Sequence, residues 1–120
     1  MNWWVDQQNA LSRLTGAKLS FVQFILDYLI IGFDEKGALS VLVWPEVSIG
    51  GHCTHFGTAG YRDALCSLIE DTVTSADISS DQIIRINFAS EKRLLIRLND
   101  CHHKGERAIL TGPKHYLFVF

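Results

Sequence analysis

Residues 63–73 read DALCSLIEDTV, and residues 9–19 read NALSRLTGAKL. Laid over one another, Asn9, Ala10, Leu11 and Leu14 fall on Asp63, Ala64, Leu65 and Leu68, and Leu19 falls on Val73. The match runs on downstream. Asp27 meets Asp81; after a one-residue slip, Leu29, Ile31 and Phe33 meet Ile84, Ile86 and Phe88, and Leu39, Val41 and Val43 meet Leu94, Ile96 and Leu98. These are the positions that set hydrophobic phase, and self-similarity at a fixed period marks a repeat architecture. The chain reads as a single domain, residues 1–120, built from two pseudo-repeats near residues 1–57 and 58–120.

Both copies carry the same local signals. Tyr61, Ala64, Leu65, Leu68 and Ile69 recur at helical spacing and form one apolar face. Trp3, Ala10, Leu11 and Leu14 outline the earlier helix, with Gly16 positioned to end it in a left-handed cap. A strand follows in each copy, over residues 18–25 or 72–78, and Asp27 and Asp81 mark turns. Alternating hairpins come next: LIIGF and LSVLV around the loop DEKGA, then IRINF and LLIRL around ASEKR. The expected class is α+β, in the order αβββαβββ with a C-terminal strand from HYLFVF. Short connections favour one mixed or mainly antiparallel curved sheet packed with two helices, while the sheet order and the choice between one sheet and two stay open at this point.

The alternation separates the copies. In the second, the outward positions Ile83, Arg85, Asn87, Arg93, Leu95, Arg97 and Asn99 make a mostly wet face. In the first, Tyr28, Ile30, Leu42 and Trp44 make an apolar face that requires cover. The N-terminal tryptophans, the C-terminal strand or another protein molecule would each supply it, and a symmetric homodimer is one form of the last.

Composition narrows the function classes. A chain of 120 residues with net charge −2 has no basic stripe of the kind nucleic acid requires. No apolar run approaches membrane-spanning length, and MNWWVDQQ is not a signal peptide. Three cysteines without a C-x-x-C pair read as reduced thiols, so the cytoplasm is the expected compartment.

Two clusters offer chemistry. His52, Cys53 and His55 lie in GGHCTHFGTAGYR, and Cys101, His102 and His103 follow the second hairpin. Thiolate and imidazole suit tetrahedral zinc, for which His52, His55, Cys101 and His103 are the candidate ligands. Their spacing matches no zinc module, and solvated polar loops are the plainer reading, with no cofactor. The glycines of GTAGYR lead into the second helix beside Arg62, which raises an anion site without any Walker pattern. Cys66 lies beside the buried stripe, where a free thiol behaves as a small apolar group. No nucleophile–base arrangement emerges, so a non-catalytic module is expected.

The runs FVQFILDYLIIGFD, VWPEV, GYRDALCSLIEDTV and INFASEKRLLIRL resemble a family of small bacterial proteins of unknown function. The resemblance spans roughly residues 14–112 and rests on Phe21, Val22, Asp27, Tyr28, Pro45 and the helix start Tyr61–Arg62–Asp63–Ala64–Leu65–Cys66. Glu70 departs from it, where the family tends to have glycine. It implies bacterial origin and adds weight to Tyr61, Arg62 and Asp63. The expected function is a binding module, immunity- or antitoxin-like, that engages a protein partner or a second copy through Tyr28, Ile30, Leu42, Trp44, Tyr61, Arg62 and Asp63. A metal- or anion-dependent protein built on the His/Cys loops is the alternative.

Overall fold

The structure, a computed structural model, describes residues 3–99 and 105–120. Helix α1 (Trp3–Ser12) is followed by strands β1 (Leu19–Ile25), β2 (Tyr28–Phe33), β3 (Gly37–Val41), β4 (Glu46–Ile49) and β5 (His52–Thr54). Helix α2 (Tyr61–Cys66) then precedes β6 (Val73–Ile78), β7 (Ile83–Phe88), β8 (Lys92–Arg97), β9 (Ala108–Gly112) and β10 (Tyr116–Val119). The α+β class holds. The single curved sheet does not: the strands form two antiparallel five-stranded sheets, ordered β1-β2-β3-β9-β10 and β5-β4-β8-β7-β6.

Three strands were absent from the expected order. β4 and β5 form a hairpin around Gly50 and Gly51, whose φ values of 56° and 87° suit a two-residue turn of the primed kind. β9 pairs with β3, so the last hairpin joins the sheet begun by the first three strands. In the same way β4 pairs with β8, and the β4–β5 hairpin joins the second sheet. Each half thus lends its final hairpin to the other half's sheet.

The registers correspond closely. Leu19 faces Phe33, and Val73 faces Phe88, with a bulge in the next two positions of β1 and β6 alike. Val22 faces Ile31 as Ala76 faces Ile86, and Ile31 faces Leu39 as Ile86 faces Leu94. A bridge between Lys18 and Thr72 joins the halves. Around it, Gly16 N–H donates to Val73 and Glu70 N–H to Leu19, while Leu19 N–H donates to Asp71 and Val73 N–H to Ala17. Gly16 does have positive φ, but its amide crosses to β6 instead of turning back into α1 as a helix cap would.

The inner faces of both sheets and one side of each helix share one hydrophobic cluster. Leu29, Ile31, Phe33 and Leu39 enter it from the first sheet, and Ile84, Ile86, Leu94 and Ile96 from the second. Leu11, Leu14, Leu65 and Leu68 come from the helical segments. Fully burying each such side chain is worth about 1.5–3 kcal/mol, which makes this cluster the main stabilising element. Among the described residues, no helix is long and apolar enough to cross a membrane.

Candidate functional site: an open cleft between β1 and α2

The two helices stand beside the outer edges of their sheets, and they do so unequally. α1 has ten residues and lies along β6; α2 has six and meets β1 over a shorter length. From α1, Gln8 reaches the edge of β6. Its side-chain amide donates to Ala76 C=O at 3.4 Å, and its oxygen accepts from Ile78 N–H at 3.1 Å. That closes the edge, and Ile78 is only 3% exposed.

At β1 the matching positions are Val22 and Phe24. Ile25 and Tyr28 flank a two-residue turn, so alternation of the antiparallel ladder points the backbone groups of Val22 and Phe24 away from β2. Among the described residues β1 is an edge strand, and no neighbouring strand meets them. Phe24 faces the core side beside Leu29, yet remains 36% exposed. The helical position of Gln8 is held in α2 by Arg62, whose guanidinium lies 5.7 Å from the centre of the Phe24 ring.

The result is a cleft of about 900 Å³. One wall is Phe24, Ile25 and Leu26; the other is Trp44, Phe56 and the Gly57–Asp63 segment. The far wall is rigidified by aromatic stacking. Trp44 and Phe56 lie parallel at 4.2 Å between centroids, and Tyr61 meets Phe56 edge-on at 5.9 Å. Tyr61 is buried and donates its hydroxyl to Pro45 C=O at 2.5 Å. Burial, assisted by the Glu46 charge, pushes its phenol well above the ordinary tyrosine range, so it stays a neutral donor.

The expected site residues divide. Trp44, Tyr61, Arg62 and Asp63 come together in this cleft. Tyr28 and Ile30 lie on the opposite, outer face of the first sheet, half-exposed. Trp44 leaves that face because β3 ends at Val41 and the chain bends at Leu42–Val43 before Pro45, which has no amide to donate to a ladder. Leu42 remains half-exposed at the end of β3. Trp3 does not cover the outer face: it stacks on Phe118, which pairs with Leu110 of the core. Cys66 is exposed and not apposed to the buried stripe.

Of the four expected zinc ligands, the structure describes His52 and His55. His52 is exposed on β5, and Cys101 and His103 lie outside the described residues. His55 instead joins Glu46 and Cys53 on the outer face of the second sheet, with donor atoms all within 4.8 Å of one another. Glu46 is already engaged: Arg97 Nε donates to one of its oxygens at 2.6 Å, and Cys53 Sγ donates to the other at 3.4 Å. The Arg97 hydrogen bond holds the Glu46 carboxyl below its usual range, while burial and then Glu46 raise the Cys53 thiol. In the GTAGYR segment Thr58 N–H donates to His55 and Tyr61 N–H to Thr58, and α2, which follows, has six residues.

Phe24, Leu26 and Phe56 were missed as site residues. Phe24 has core phase by alternation, yet it is 36% exposed at the cleft. No family model, curated protein or solved structure matches the chain.

Proposed function

We propose that this protein is a non-catalytic interaction module that holds a protein partner in the cleft between β1 and α2. The observation that carries the reading is the exposure of Phe24, a core-phase aromatic, at the mouth of a cleft with a stacked aromatic wall. Interface cores favour aromatic side chains and arginine, and this cleft combines Phe24, Trp44, Phe56 and Arg62. Its charged groups, Arg62 and Asp63, sit on exposed positions at the rim, the arrangement of a binding surface. The reading extends to an immunity- or antitoxin-like role, which suits a small, mildly acidic chain.

The corresponding registers support a further element of this reading: the chain arose by doubling of one helix-and-five-strand half. On that view the ancestral helix edge was closed in both halves, and shortening of α2 opened one of them for recognition.

A photo-crosslinking amino acid at Leu26, which is 97% exposed beside the cleft, tests the interaction directly. A discrete polypeptide adduct is expected in the source cells, weakened by Phe24→Asp, with no such adduct from the same group at Glu91. Equal labelling at both positions would count against it.

The Glu46–Cys53–His55 cluster favours a second reading, a divalent metal site. Arg97 opposes it, since a metal would need to displace a cation already paired with Glu46. Cobalt(II) titration is the check: a thiolate charge-transfer band lost in Cys53→Ser would support the site, and an unchanged spectrum would remove it.

A further inference from the structure

We infer that the edge of β1 takes up an extended segment of the partner as an added strand, with an acidic side chain of that segment paired to Arg62. This deepens the interaction reading above and rests on it.

The argument comes from the molecule's own closed edge. At β6, one amide from Gln8 supplies a donor to Ala76 C=O and an acceptor to Ile78 N–H, the two bonds that one residue of an added strand would make. The corresponding groups on β1 are Val22 C=O and Phe24 N–H, directed outward at an edge with no strand beyond it among the described residues. An unpaired edge of this kind is a template for another chain. The cleft alongside is wide enough to need an occupant larger than one side-chain amide, and Phe24 offers the half-open apolar contact that an alternating strand would fill.

Of the cleft's two charged groups, Arg62 and Asp63, it is Arg62 that stands over the Phe24 ring and selects the occupant. Arg62 takes the helical position of Gln8 and leans over the Phe24 ring, and among the described residues it has no carboxylate within ion-pair distance. A guanidinium there cannot accept from Phe24 N–H, so it cannot close the edge as Gln8 does. It can bind a carboxylate brought in beside the strand. An apolar, alternating segment with an Asp or Glu at one position satisfies both requirements.

The test uses the whole protein and a displayed random-octapeptide library as the probe. Selected peptides are expected to alternate apolar residues around at least one Asp or Glu. In hydrogen-exchange NMR, the best of them should slow exchange of the Phe24 amide at least tenfold. N-methylation of the peptide at alternate amides, or Arg62→Glu in the protein, should weaken binding tenfold or more, with Arg62→Lys retaining part of it. Three results would overturn the inference: no selection above background, binding that leaves the Phe24 amide unprotected, or concentration-dependent protection of that amide without peptide, which marks a second copy as the occupant. A Leu26 adduct obtained together with any of these would leave the interaction module standing and remove only the strand addition.

Discussion

Lys18 and Thr72 face each other across the bridge that joins the two halves, and the four backbone hydrogen bonds beside it come in corresponding pairs. Gly16 and Glu70 hold matching places in this junction, both with positive φ, at 89° and 74°. Gly16 meets no steric obstacle that a methyl group would strike, so its requirement is conformational alone. Gly16→Ala should therefore lower stability by about 1–2 kcal/mol, read by urea denaturation. Glu70→Gly should relieve similar strain, partly offset by added freedom of the unfolded chain, and leave stability level or slightly raised. Loss of more than 1 kcal/mol on Glu70→Gly would contradict the correspondence.

Leu39 and Leu94 occupy matching places in β3 and β8 and are both fully buried. Truncation to alanine at either site should cost about 2–5 kcal/mol. The two values should agree to within about 1 kcal/mol if the sheets carry equal weight in one core. Thermal denaturation of both variants checks this, and a large cost at one site only would show that one sheet dominates the core.

Gln8 is the residue that closes the β6 edge. Gln8→Ala should cost about 1–2 kcal/mol, because it removes two bonds and leaves Ile78 N–H unpaired. Arg62→Ala, at the matching helical position, should change stability by less than about 0.5 kcal/mol, since that exposed side chain closes nothing. Chemical denaturation of the pair separates a structural cap from a side chain that closes no edge.

The Glu46–Arg97 pair gives a pH dependence of known sign. Glu46 titrates lower in the folded protein than in the unfolded chain, chiefly because Arg97 hydrogen-bonds its charged form. Its stabilising contribution is complete above the ordinary glutamate range and is lost as pH falls through the depressed value. Arg97 is half-exposed, so solvent screening keeps the contribution below about 1 kcal/mol. Glu46→Gln should flatten the stability profile below about pH 4.5 and leave its shape unchanged between pH 6 and 8. Tyr61 acts in the opposite sense. Its phenol titrates higher when folded, so its contribution is lost as pH rises above the ordinary tyrosine range, and Tyr61→Phe should remove that alkaline limb.

The strands that pair with sequence neighbours were legible. Leu29, Ile31 and Phe33, and likewise Ile84, Ile86 and Phe88, alternate cleanly and are buried as their phase requires. β4 and β5 were within reach, since Gly50–Gly51 between EVSI and HCT is a two-residue hairpin signal. The exchange of hairpins between sheets was not, because nothing local in Ala108–Gly112 specifies β3, nearly seventy residues earlier, as its neighbour. The same holds for the cleft. Arg62 and Trp44 could be picked out singly, but their meeting depends on α2 ending at Cys66 and on the bend before Pro45. Glu46, adjoining that proline, gave no sign of the histidine, cysteine and arginine that the sheet gathers around it.

Amide hydrogen exchange in the free protein decides most directly whether β1 has an open edge where β6 has a closed one. The expected result is exchange of the Phe24 amide at least roughly a hundredfold faster than that of Ile78, in a protein whose core amides are uniformly slow. Equal protection at the two positions would mean that β1 is already covered, and that no edge remains there for a partner to complete.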